Sequence, residues 1–131
     1  MRKPRLTKLL QRTQKATPLK SDVGRQEIIM NNDRKLDCSL CLTILRTEYD
    51  FLKKRYNVDT MYLFGSVARK DNSQYSDVDI MVTFNQVPSI LTFINMENYL
   101  INLLGYQVDL VMESSLKPEI YQRVFKERIQ I

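Results

Sequence analysis

The sequence predicts an α/β domain, helices packed on a small β-sheet, and three features predict it. Leu42, Leu45, Tyr49, Leu52 and Tyr56 recur at three- and four-residue spacing, one apolar stripe of a helix over 37–56. Three short apolar runs, 60–64, 76–84 and 106–112, have strand length and carry isolated acids. Between them lie turn residues and a second apolar helical stretch, so helices and strands alternate along the chain.

Each element has its own signals. Asp37 suits the N-cap of the first helix, and Lys53, Lys54 and Arg55 suit the negative end of its dipole. Asn57-Val58-Asp59 turns the chain into the first strand, which runs into Gly65-Ser66 and a short helix over 66–70. A polar loop, 71–74, leads to the second strand. Pro88 suits the first turn of a helix reaching Leu104, with Gly105 as its stop and Leu91, Ile94, Met96, Leu100, Ile101, Leu103 and Leu104 as its apolar side. The third strand follows. Ser114 or Ser115 then caps a last helix with Pro118 in its first turn and Ile120, Tyr121, Val124 and Phe125 buried. The alternation of Arg128-Ile129-Gln130-Ile131 predicts a short edge strand.

At 131 residues the chain predicts one domain over 31–131 behind an arm over 1–30. Eight basic residues but only one acid, Asp22, fall in residues 1–25, a surplus larger than the whole chain's +5. The remainder is therefore mildly acidic, which argues against a basic catalytic face for long nucleic acids. The arm itself, with Pro4, Pro18 and no coherent periodicity beyond a frayed helix over 6–14, reads as a flexible extension whose charges suit RNA or an acidic partner. No apolar run reaches membrane length, because Asn95, Glu97, Asn98 and Asn102 break the longest one; with no secretory signal visible, the cytoplasm is the expected compartment. Cys38 and Cys41 form a lone C-x-x-C in a chain without histidine, too few ligands for a zinc site within one chain; a redox pair or a site shared across a dimer are the alternatives to two structural thiols.

The chemistry concentrates in one stretch. Leu63-Phe64-Gly65-Ser66-Val67-Ala68-Arg69 reads as a strand end entering a helix through a Gly-Ser turn, whose outward amides suit phosphate. Gly65 admits close approach, the Ser66 hydroxyl adds a donor, and Arg69 can assist with its charge or brace the loop. Asp77 and Asp79, two apart, share a strand face while Val78 and Ile80 point into the core. Two carboxylates side by side repel unless a cation lies between them, and Mg²⁺ prefers carboxylate and phosphate oxygens. Asp109, alone in Val108-Asp109-Leu110-Val111, joins them if its strand lies alongside. Such a set positions one or two metals for phosphoryl or nucleotidyl transfer. Each residue taken singly also has a bland reading: Ser66 as a helix cap, Asp77 and Asp79 as solvated edge acids.

Together, Gly65-Ser66, ten intervening residues, Asp77-x-Asp79 and the later Asp109 resemble the DNA polymerase β-like nucleotidyltransferase superfamily, and its minimal nucleotidyltransferase (MNT) branch best. The likeness runs from about Leu40 to Ile131; the family usually has Gly where Lys70 stands. The resemblance implies a small mixed sheet, two Mg²⁺ ions held by Asp77, Asp79 and Asp109, and ATP held through Gly65, Ser66 and Arg69. It further implies transfer of AMP to a hydroxyl, typically a tyrosine, of a HEPN-domain toxin for which the protein is the antitoxin. The chain ends about twenty residues after the third acid, so the acceptor surface is expected from another chain, in an oligomer with the partner. The alternatives are a non-catalytic module that neutralises a partner by covering it, a small-molecule (aminoglycoside-like) nucleotidyltransferase, and nucleotide addition to RNA through the basic arm.

Overall fold

Four strands lie side by side in the order β3-β2-β1-β4, where β1 is Val58–Phe64, β2 Val78–Phe84, β3 Val108–Met112 and β4 Ile129–Gln130. The computed structural model describes residues 35–131. The arm expected over 1–30 and its frayed helix lie outside the described residues. β1 runs antiparallel to both β2 and β4, and β2 runs parallel to β3, so the sheet is mixed.

The helices are α1 (Cys38–Tyr56), α2 (Gly65–Arg69), α3 (Ile90–Leu104) and α4 (Pro118–Glu127). Residues opposite one another on paired strands share a face. The row Leu63–Ile80–Leu110 therefore points to one side, where Cys41, Leu45 and Leu52 of α1 and Met96 and Leu100 of α3 complete the main core. Removing each such leucine from water contributes about 1.5–3 kcal/mol. The row Tyr62–Met81–Val111 points to the other side, against Val124 and Ile120 of α4. Helix α3 is also the crossover that a parallel β2–β3 pair requires.

The caps explain where elements stop. Asp37 accepts the Leu40 amide at 3.1 Å, as its place before the apolar stripe predicts. Gly105, at φ 78°, closes α3 by donating to Ile101 O at 2.7 Å. Several boundaries differ from expectation. Ser89, not Pro88, starts α3, accepting the Thr92 amide at 3.2 Å, and Pro88 lies outside the helix. Ser114 and Ser115 sit in a 3₁₀ turn, Glu113–Ser115, and Pro118 opens α4 after Lys117 with no side-chain cap. Leu91 and Phe125, placed in the core by periodicity, are exposed at 70% and 52%. Phe125 instead lies under the Arg128 guanidinium, 4.1 Å from the ring centre, with Tyr62 at the same distance.

Candidate active site

The Gly-Ser turn sits where β1 ends and α2 begins. Gly65 has φ 77°, a conformation that disfavours side chains, and it opens α2 directly from Phe64. A Cβ there would run into Asp79 Oδ2, so the glycine's closest approach is to the aspartate of the next strand. The Gly65 amide donates to Glu127 Oε2 at 2.8 Å, leaving the turn's outward donors to begin at Ser66, which is half-buried. Val67 and Ala68 are buried and anchor α2. Lys70 and Asp71 close the turn by donating to Val67 O and Ser66 O, with Lys70 held at φ 66°.

Arg69 braces this loop. Its Nε donates to Asp71 Oδ2 at 3.1 Å, and its Nη1 bonds Glu127 at 3.1 and 3.3 Å. Those two carboxylates raise its already high pKa, so it is a permanent cation. The chemistry expected of Arg69 included either assisting a phosphate or bracing; these contacts are those of a brace.

The acids form a graded set across the sheet. Asp79 and Asp109 are direct register partners on parallel β2 and β3, hence on one face, and Phe64 completes their row. Strand spacing of about 4.8 Å sets the separation of their backbones. Asp109 is fully buried, Asp79 is 8% exposed, and Asp77 is half-buried. Behind them Val78, Ile80, Val108 and Leu110 are sealed in the main core, as the alternation predicts. The strand expected from residue 76 starts at Val78, because Ser73 to Ser76 close a turn: the Ser73 amide donates to Ser76 Oγ at 2.9 Å and the Ser76 amide to Ser73 O at 3.2 Å. Asp77 is thus left at the mouth of the strand.

These residues fit a hard divalent cation by donor chemistry. Asp79 and Asp109 offer carboxylate oxygens in a preset row, and the Asp79 carboxylate is seated against Gly65 in the space that a Cβ there would take. Among the described residues, no three Cys, His, Asp or Glu side chains converge as a finished metal cluster. A pair is therefore built in, with Asp77 on its rim.

Two buried or half-buried glutamates escaped the sequence pattern, one at the turn and one in the main core behind the acids. Glu127 looks like one more charge on a surface helix, and only its place at the end of α4 beside β4 brings it to Gly65. Glu97 looked like a break in an apolar run, yet it is fully buried and its Oε2 accepts the Leu110 amide at 2.8 Å, next to Asp109. Its spacing of one residue from the buried Met96 and three from Leu100 was the available signal.

Residues 49–131 match the family described as "Polymerase beta, Nucleotidyltransferase". The chain is 44% identical over 89 residues to the protein adenylyltransferase MntA of Thermococcus cleftensis, covering 68% of this chain and 90% of that protein. It is 39% identical over 84 residues to a candidate protein adenylyltransferase of Methanocaldococcus jannaschii, covering 64% and 86%. A solved structure described as a candidate minimal nucleotidyltransferase superposes with TM-score 0.63 at 31% identity, over 73% of this chain and 97% of that one. A complex of a tri-AMPylated HEPN toxin of Shewanella oneidensis with its MNT antitoxin has the same fold, with TM-score 0.53 at 22% identity, over 69% and 70%. A family match over residues 49–131 and 44% identity across two thirds of the chain agree with the glycine turn and paired acids described above, and the chain belongs to the polymerase β-type nucleotidyltransferase family.

Proposed function

We propose that this protein is a protein adenylyltransferase of the MNT type, moving AMP from ATP onto a hydroxyl of a partner protein. The observation that carries the reading is the row Phe64–Asp79–Asp109 across three neighbouring strands, with the Gly65-Ser66 turn opening at its β1 end against Asp79. Relatives named as protein adenylyltransferases support the reaction class, and the AMPylated toxin bound to an MNT antitoxin supports the kind of acceptor. The partner is then a HEPN-type toxin, the acceptor a tyrosine, and this chain its antitoxin.

The order of elements suits an in-line transfer. The turn after β1 receives the β- and γ-phosphates through Ser66, and Arg69 keeps that turn rigid. Asp79 on β2 and Asp77 at its mouth face the α-phosphate region; Asp109 on β3 lies on the far side, where an acceptor opposite the leaving group must enter. Asp77, Asp79 and Asp109 would hold Mg²⁺, whose charge offsets that of the phosphates when bound. The acceptor oxygen bonds to the α-phosphorus while the bond to the β-phosphate bridging oxygen breaks. Pyrophosphate leaves, and the hydroxyl proton passes to the carboxylate set, with Asp109 nearest the entry side. The buried pair is also the argument against a purely covering role, since adjacent buried carboxylates are costly without such a use.

The test is direct. The protein is incubated with its HEPN-type partner, ATP and Mg²⁺, and both chains are weighed intact. One AMP or more on the partner, absent with Asp79→Asn, is the expected result. Full neutralisation of the partner with no added mass would replace this reading with the binding module.

A further inference from the structure

We propose that Glu127 is a positioning residue for the glycine turn, an internal strut from α4 that sets Gly65 against Asp79. The proposal rests on the adenylyltransferase reading above for its functional meaning. Its structural part stands on contacts alone.

Glu127 lies 62 residues from Gly65 in sequence, and its side chain is only 16% exposed. Both carboxylate oxygens are engaged: Oε2 accepts the Gly65 amide at 2.8 Å, and the two oxygens take Arg69 Nη1 at 3.1 and 3.3 Å. Arg69 is fixed from its other edge by Asp71. The five-residue α2 is therefore held at its first amide and at its last side chain by one glutamate, and α4 packs directly on it. Gly65 in turn has no room beyond its α-hydrogens before it meets the Asp79 carboxylate. A displacement of the Gly65 peptide must push or release Asp79, because nothing compressible lies between them.

One consequence concerns the nucleotide. The Gly65 amide is already committed to Glu127, so the phosphate donors of the turn are those from Ser66 onward. Gly65 then contributes by lacking a side chain rather than by donating. The opposite reading makes the Glu127 carboxylate a rival anion, occupying a donor that phosphate would claim. The two differ in sign: loss of a strut weakens nucleotide binding, whereas loss of a rival strengthens it. The Arg69 pairing favours the strut, since it neutralises the carboxylate that would otherwise repel the phosphates.

The experiment compares wild type, Glu127→Ala and Glu127→Gln in the full chain. Gly65 amide exchange is followed by NMR without nucleotide, and the affinity for AMP-PNP with Mg²⁺ by calorimetry. Glutamine keeps an acceptor for the Gly65 amide and loses the charge on Arg69. Glu127→Ala should speed Gly65 exchange and weaken AMP-PNP binding roughly 10-fold or more, while Glu127→Gln restores most of both. Unchanged or tighter binding by the alanine variant overturns the proposal, the latter in favour of the rival anion. A glutamine variant as weak as alanine also overturns it, since charge and not the amide contact would then matter. If the alanine variant does not fold, Glu127→Asp replaces it: one methylene shorter, it should lose both the protection and the affinity that glutamine keeps. Failure of wild type to bind AMP-PNP sinks the adenylyltransferase reading, and the exchange rate of Gly65 still decides the strut.

Discussion

Gly65 and Asp79 are in contact: the bare Cα of one, at φ 77°, lies where any larger residue would strike the carboxylate of the other. The glycine is needed twice, for its backbone conformation and for the space it leaves.

Gly65→Ala therefore combines backbone strain with overpacking. It should cost roughly 2–4 kcal/mol of stability. Nucleotide transfer should fall further than stability does, because Asp79 must move to accommodate the methyl group. Urea unfolding alongside transfer assays checks both. An alanine variant with wild-type stability and activity would show that the turn relaxes freely.

Asp79→Asn and Asp109→Asn should leave the fold intact, since each removes charge from a buried row of like carboxylates. With wild type, Mg²⁺ and ATP together should raise the melting temperature by preferential binding to the folded chain. Neither variant should show that rise. A metal-dependent shift that survives in both would place the cation elsewhere.

Lys70→Gly should stabilise the protein. Lys70 holds φ 66° at the end of α2, a conformation that costs a side-chain-bearing residue about 1 kcal/mol and glycine almost nothing. Thermal melts should show a rise of several degrees with transfer unaffected. A lower melting temperature would mean that the greater freedom of glycine in the unfolded chain outweighs the relief.

Tyr99 sets an alkaline limit. Its hydroxyl donates to Glu48 Oε1 at 2.6 Å, and that bond, with burial, pushes its pKa up from 10.0 to about 12. Below pH 10 both folded and unfolded chains keep the proton, so the contribution to stability is complete. Between about 10 and 12 only the folded chain keeps it, and the contribution is lost as pH rises through that window. Unfolding free energies measured from pH 9 to 12 should fall less steeply for Tyr99→Phe. Identical slopes would show that other groups, such as Cys41 with its thiol pushed up to about 12 by burial, carry the alkaline loss.

The strands and their acids were legible because alternation is a local rule: Val78 and Ile80 to one face, Asp79 to the other, Asp109 in a matching run. The caps at Asp37 and Gly105 were legible for the same reason. What escaped depends on contacts between distant segments. Glu127 reaches Gly65 only once α4 has folded back, and Glu97 is buried because an amide of β3 has no neighbouring strand beyond it and takes a side chain instead. Phe125 has helical spacing with Val124 and Tyr121, but Arg128 offers its ring a partner at the surface. Pro88 and the two serines before α4 carried helix-start signals that nearby residues took over.

The parallel pairing of β2 with β3 has a kinetic meaning. Asp79 and Asp109 face each other across about thirty residues of intervening chain, which α3 must span before the register can close. The turn and Asp79, by contrast, belong to an antiparallel pair joined by a short connection. A nascent chain that has formed β1, α2 and β2 thus owns part of a site, with Asp77 and Asp79 but without Asp109. The set closes only once β3 has docked and the helix behind it has folded back to bring Glu127 to Gly65, so the elements formed first wait on those formed last.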